Sequence, residues 1–222
     1  MKKIFSFVAV AAALLFAGNA NAQLSVNGGF LGNVLSTTYK YTDALGNEQK
    51  SDTSYANGLG FYAGASYNVP ITSFFGIAPG LYFSYAGKSE EKTTAGTKYT
   101  DVVDMMDLNI PILFNFKWEI TDFFGIMGFV GPNFRYGLSY KETYKYNDNI
   151  TKDDVITPYK KADGADKPAW SRFDLGLNFG AGVHFNAFRV EVGYNLGLLD
   201  IDNSKEYTTN SNHVYVGVGF AF

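Results

Sequence analysis

The last ten residues, His213–Phe222, read HVYVGVGFAF and alternate strictly. Val214, Val216, Val218, Phe220 and Phe222 are apolar, and His213, Tyr215, Gly217, Gly219 and Ala221 between them are small or polar. Successive side chains of a strand point to opposite faces, so a period of two makes a strand with one apolar and one small, polar face. The chain closes on Phe222 with no polar tail after it. A face of that size and apolarity needs a partner, and either a protein core or lipid can supply it.

The same alternation recurs upstream. Seven further candidate strands are Leu24–Tyr39, Gly58–Val69, Phe75–Lys88, Val102–Lys117, Phe123–Lys141, Arg172–Asn186 and Phe188–Leu199. In the fourth, Met106, Leu108, Ile110, Ile112, Phe114 and Phe116 alternate with Asp107, Asn109, Pro111, Leu113, Asn115 and Lys117. In the fifth, Ile126, Val130, Phe134, Tyr136 and Leu138 oppose Asn133, Arg135 and Ser139. No stretch after the leader holds 18 consecutive apolar residues, the length a membrane-crossing helix needs, and no amphipathic helical period of useful length appears.

Two closed eight-stranded designs fit. A soluble barrel of the lipocalin kind puts apolar residues in the lumen and mixed charge in water. The polar faces here are Gly, Asn and Ser with an isolated charge or two, a poor water surface. The apolar faces carry Phe, Leu, Ile and Tyr almost without charge, as a lipid-facing band does. The connections agree. They run to about 18, 5, 13, 5, 30, 1 and 11 residues, long and short in alternation. The long ones, Lys40–Asn57, Ser89–Asp101, Glu142–Ser171 and Asp200–Ser211, are polar and would all lie outside the cell if both termini are periplasmic. Thr72-Ser73-Phe74-Phe75-Gly76-Ile77 is repeated as Thr121-Asp122-Phe123-Phe124-Gly125-Ile126, a turn followed by a strand start with aromatics at girdle depth, beside Trp118.

Residues 1–22 read as a cleaved signal peptide: basic Lys2-Lys3, an apolar run Ile4–Phe16, and the cleavage site Ala20-Asn21-Ala22. The expected domain is then residues 23–222. No Cys follows the leader to carry a lipid, and none exists to form a disulfide. The 18 Lys+Arg and 21 Asp+Glu give −3, and loss of Lys2 and Lys3 takes the mature chain to −5, which gives no support to nucleic-acid binding.

Together these features resemble the small bacterial outer-membrane β-barrel proteins, the porin-like, OmpA/OmpX-type family. Arg172-Phe173-Asp174 before a Gly-rich strand (Gly176, Gly180, Gly182) and the terminal Phe222 belong to that likeness. It spans the whole mature chain. It implies an all-β, eight-stranded antiparallel transmembrane up-and-down β-barrel in the outer membrane. It also implies Phe222 as part of the assembly signal read by the barrel-assembly machinery. The partners expected are outer-membrane lipid and an extracellular ligand at the long loops, with the barrel a monomer.

Seven charges fall on polar faces: Asp107, Lys117, Arg135, Arg172, Asp174, Arg189 and Glu191. Interior charges must be paired, because an unpaired one is costly. They read as a structural network filling a narrow lumen, with a charged pathway for small solutes as the alternative. His184 reads as a lumen hydrogen-bonding residue. His213 opens the last strand, close across the hairpin to Asp200 or Asp202. A rim enzyme is the third reading, but general-base work needs a matched nucleophile or water site, so no catalytic residue is assigned. Asn147-Asp148-Asn149 and Asp153-Asp154 lack the Gly and closing Glu of a calcium loop, so no metal or cofactor is expected.

Overall fold

The computed structural model describes residues 23–43, 46–94, 97–146, 155–204 and 206–222. The proposed leader, residues 1–22, and the acidic segment 147–154 lie outside the described residues. The described residues form nine strands: β1 (Gln23–Thr42), β2 (Glu48–Pro70), β3 (Phe75–Thr94), β4 (Thr97–Thr121), β5 (Phe124–Tyr146), β6 (Val155–Ile156), β7 (Phe173–Phe185), β8 (Phe188–Gly197) and β9 (Tyr207–Ala221). Each long strand pairs antiparallel with its neighbour. β4 pairs with β5, and β1 with β9, so eight strands close into a ring with no free edge. The two-residue β6 is an appendage on β5, opposite Glu142 and Thr143.

The alternation read from sequence sets the two faces. On β9, Val214, Val216, Val218 and Phe220 are all about half exposed, while His213 is buried. On β1, Val26 and Phe30 point out, and Ser25, Asn27 and Asn33 point in, each at 2% exposure or less. The outward band runs round the ring through Leu59, Leu81, Phe114, Phe179 and Val192. A soluble monomer rarely exposes a contiguous apolar patch beyond a few hundred Å². A ring-shaped apolar band is the surface lipid takes, and a closed barrel leaves no backbone group unpaired within it.

At one end the connections are tight. The repeated hexapeptide makes the same turn twice. Phe75 N donates to Thr72 Oγ1 at 3.0 Å, and Phe124 N to Thr121 Oγ1 at 3.1 Å. Ile71, Phe74, Trp118, Ile120 and Phe123 stay exposed around these turns as a girdle. The third turn is Asn186-Ala187, where Asn186 takes φ 51°, a left-handed conformation that Asn tolerates better than most residues.

The other end differs from the sequence reading. Most of Lys40–Asn57 and Ser89–Asp101 is strand, not loop: pairing runs out to Thr42↔Glu48 and Thr94↔Thr97. Backbone ladders continue whatever the side chains. Once both faces of a hairpin are wet, its polar composition reads as loop. A second difference is local. β5 bulges at Leu138, where Met106 faces Ser139 and Asp107 faces Gly137. The extra residue turns Ser139 outward and brings Tyr140 in, so Ser139 leaves the polar face assigned to it.

Candidate functional site

The lumen is built from the inward positions of all eight barrel strands. Inward glycines make room for large side chains. A Cβ at Gly217 would collide with the Tyr62 hydroxyl, and one at Gly193 with the Tyr215 ring. Tyr62, Tyr82 and Tyr215 therefore lie across the interior instead of along its wall.

Two charge clusters fill the lumen, separated by an amide belt. Nearer the short turns, Arg189 Nη2 donates to Asn27 Oδ1, and its Nε lies 3.4 Å from Glu191 Oε2. Glu191 also accepts from Tyr62 Oη at 3.1 Å, and Tyr215 Oη donates to Asn178 at 2.8 Å. The belt runs through Asn133, whose Nδ2 reaches Asn109 at 3.2 Å and Asn195 at 3.1 Å, and on from Asn109 to Ser84 at 2.9 Å. Beyond it, Arg135 pairs with Asp174 and contacts His213 Nε2 at 2.9 Å and the Ser211 carbonyl at 3.3 Å. Asp107, 2% exposed, shares a chamber of about 10 Å³ with Arg135 and Asp174.

Of the seven charges singled out by sequence, Asp107, Arg135 and Asp174 thus form one cluster and Arg189 and Glu191 another. Lys117 stands apart near the short turns, half-buried, with Glu119 and Arg189 in electrostatic range. His184 is also there, 3.5 Å from Glu119. Arg172 lies at the rim and lines the same small chamber as Asp107, Arg135 and Asp174. Its Nη1 donates to the carbonyls of Gly137 and Leu138 at the rim, 2.8 and 2.9 Å away, because it precedes the first residue of β7 and the β5 bulge presents those carbonyls to it.

His213 is also corrected. It is not a rim residue beside Asp200 or Asp202 but 5% exposed, paired in register with Asn195 and Asn33 and bonded to Arg135. Asp200 instead accepts from the backbone N–H groups of Asp202 and Thr209, and Asp202 from that of Ser204. Its position in the inward series 213, 215, 217, 219 was the available sign. Phe222 N donates to the Leu24 carbonyl at 2.8 Å, so the last residue still joins the ladder to β1, with its ring against Phe220.

The long-hairpin mouth is closed by a device that sequence did not show. Residues 157–172 fold across it. Tyr159 and Trp170 pack on Tyr140 with ring centroids 6.3 and 4.7 Å apart, and the Arg172 guanidinium lies 5.0 Å over the Tyr159 ring. Backbone bonds tie this segment to the β8–β9 connection: Ser171 N to Ile201 O at 2.7 Å and Asn203 N to Ala169 O at 2.8 Å. Burial holds the Tyr159 phenol well above its ordinary pKa, and the Asp107 carboxylate adds to the effect, against the pull of Arg135 and Arg172. Ala169-Trp170 is an apolar pair in a polar connection, as is Val155-Ile156, and neither shows by itself where it packs. Between this plug and the short turns a cavity of about 70 Å³ remains, lined by apolar Leu31, Met127 and Phe129 as well as by Tyr62, Asn178 and Glu191.

Residues 16–203 match the model of the outer membrane protein beta-barrel domain family. The chain belongs to that family. The barrel is a protein of the bacterial outer membrane, with an envelope role. No curated protein sequence matches it. Among solved structures it is similar to Ail, the attachment invasion locus protein of Yersinia pestis, at 14% identity and TM-score 0.39 over 90% of this chain and 99% of that one. It is similar to OprG of Pseudomonas aeruginosa at 15% identity and TM-score 0.43 over 92% and 98%. Neisserial surface protein A is similar at 12% identity and TM-score 0.34 over 88% and 99%.

Proposed function

We propose that the barrel is a sealed, non-enzymatic outer-membrane protein whose role is structural and interactive. It sits as a monomer in outer-membrane lipid, is inserted by the assembly machinery through the strand ending in Phe222, and presents its long-hairpin end outside the cell to a ligand. The observation that carries this reading is the filled lumen: two paired charge clusters and an amide belt under a plug of Tyr159 and Trp170. Both signs are present in each cluster, Arg135 with Asp174 and Asp107 and Arg189 with Glu191, so attraction offsets repulsion, and eight strands leave little cross-section once such side chains are in place.

Planar-bilayer recording tests the seal. Conductance is expected to be absent, or small and flickering. A large steady conductance in the unmodified protein would favour the second reading, a narrow channel for small solutes, which the cavity of about 70 Å³ left in the lumen supports. A cell-binding assay with and without Glu142–Ser171 tests the interactive role. Equal binding by the two proteins would remove that connection from it.

A further inference from the structure

Above the closed ring the barrel continues as two arms. One is the upper part of β9–β1–β2, the other the upper part of β3–β4–β5. β2 and β3 stay paired only as far as Leu59↔Gly87. Above that point the inner face is buried only near its base, at Leu35, Val103 and Tyr140, and the outer face is buried at Thr100 and Thr143, so burial alone does not select the face an aromatic residue takes. Tyrosine is nevertheless confined to the inner face. On the first arm Tyr39, Tyr41, Tyr55 and Tyr207 share the register of buried Leu35 and Thr209. On the second, Tyr99, Tyr144 and Tyr146 share that of buried Val103 and Tyr140. The outer-face positions of the same segments carry Lys40, Lys50, Asp52, Glu91, Lys98 and Lys145 with Ser and Thr, and no tyrosine.

The inner tyrosines are all exposed. Several pack together: Tyr39 stacks on Tyr41 at 5.6 Å and tilts against Tyr207 at 5.0 Å, and Tyr99 meets Tyr146 edge to face at 5.5 Å. Charges between them are few and close to balanced. Lys88 and Lys92 reach Glu90 at 2.8 and 3.6 Å, and Tyr144 donates to Glu142 at 2.5 Å. Tyr55, Lys88, Glu142 and Tyr144 lie within electrostatic reach of one another, which joins the two arms at their base. On the same inner face, one carboxylate oxygen of Asp101 is buried without a hydrogen-bond partner among the described residues. A buried acceptor in that state draws in a donor.

We propose that this tyrosine-lined inner face binds a neutral carbohydrate chain. A sugar ring offers a flat C–H face for stacking on exposed phenol rings and hydroxyl donors for carboxylates and phenols. A polyanion or polycation would need a surface of one sign, and this face has both signs in near balance. The proposal rests on the reading of the long-hairpin end as extracellular and interactive, and it names the ligand class for that end.

The test uses the full mature barrel refolded in detergent micelles. Probes are linear hexasaccharides of glucose, mannose and galactose, with dextran sulfate and oligolysine as charged comparisons, read by calorimetry. At least one neutral hexasaccharide is expected to bind saturably and to resist added salt. Tyr39→Ala with Tyr207→Ala, and separately Tyr99→Ala with Tyr146→Ala, should weaken it about tenfold or more, while the corresponding Tyr→Phe pairs retain binding. Near-ultraviolet circular dichroism and heat-shifted gel mobility show whether each variant keeps its fold, and the Tyr→Phe pairs test stacking where an Ala pair does not fold. Binding of none of the three hexasaccharides overturns the proposal, as does salt-sensitive binding of a charged probe alone or unchanged affinity in the folded Ala pairs. If the hexasaccharides fail but intact cells still bind the barrel, only the ligand class falls. If conductance is large and steady, only the seal falls.

Discussion

The guanidinium of Arg135 and the imidazole of His213 meet inside the barrel, Nη1 to Nε2 at 2.9 Å. An arginine has hydrogens to give and no acceptor, so His213 Nε2 receives the bond and the ring carries its proton on Nδ1. The same guanidinium holds Asp174 and faces Asp107. Arg135→Ala would leave Asp174 without its paired guanidinium and Asp107 without its nearest cluster partner, and breaking a buried pair from one side costs about 3–5 kcal/mol. Arg172→Ala removes a grip on two rim carbonyls and should cost about 1–3 kcal/mol. Urea titration of the refolded variants checks the order. Equal losses would mean that the inner cluster contributes no more to stability than the rim.

Val216 lies midway along β9, half exposed on the outward face between Phe30 and Val192. An arginine there faces hydrocarbon and costs about 2–4 kcal/mol at the midplane. Thr38, on the outer face of an arm and bonded to Asp52 at 2.7 Å, should accept one at little cost. Gel mobility with and without heating reports the folded fraction. If Val216→Arg assembles as readily as Thr38→Arg, the outward band meets water and the barrel is not embedded there.

The ring itself was legible because one cause writes it: lipid outside and a crowded lumen inside force alternation, and His213–Phe222 shows this within ten residues. Arg135 and Asp174 were legible as inward charges, but that they face each other was not, because only the strand register sets it. Three further things were not. The arms, Lys40 to Asn57 among them, lose the apolar face once clear of the bilayer, so strand there has the composition of loop. The bulge at Leu138 leaves no compositional trace, and it shifted Ser139 and the rim around Arg172. Tyr159 and Trp170 meet Tyr140 through a fold-back of the longest connection, which no local period announces.

Trypsin added to intact cells should cut first after Lys160 or Lys161 within Glu142–Ser171. Both are exposed in the turn that follows Tyr159, where the Lys160 N–H bonds the Thr157 carbonyl. Exposed turns outside the strand ladders are the preferred sites of nicking. Lys40, Lys50 and Lys98 are held in strand ladders, and Arg172 is bound at the rim. Mass spectrometry of the fragments gives the order. A first cut after Lys40 or Lys50 would mean that the arms do not hold their pairing in the cell envelope. Chymotrypsin cutting intact cells after Phe74, in the Asn68–Phe74 turn where that ring is exposed, would reverse the topology.

Tyr159 makes the plug sensitive to alkali. Its phenol is held above the ordinary range mainly by burial and next by the Asp107 carboxylate. An unpacked tyrosine loses its proton near pH 10. Below that value the packed and unpacked forms bind the same proton, and the contribution of the plug is complete. Above it the unpacked segment ionises first, so each further step in pH favours release, and the contribution is gone once the pH passes the raised value of the packed form. A bilayer held at neutral pH should show the sealed barrel, and conductance should appear as the pH rises above about 10. Tyr159→Phe packs the same ring against Tyr140 and Arg172 with no proton to lose, so it should stay closed through that range. Tyr159→Ala with Trp170→Ala should raise conductance already at neutral pH. If Tyr159→Phe opens in alkali as the unmodified protein does, another group governs the mouth, and the plug is not the pH-sensitive element.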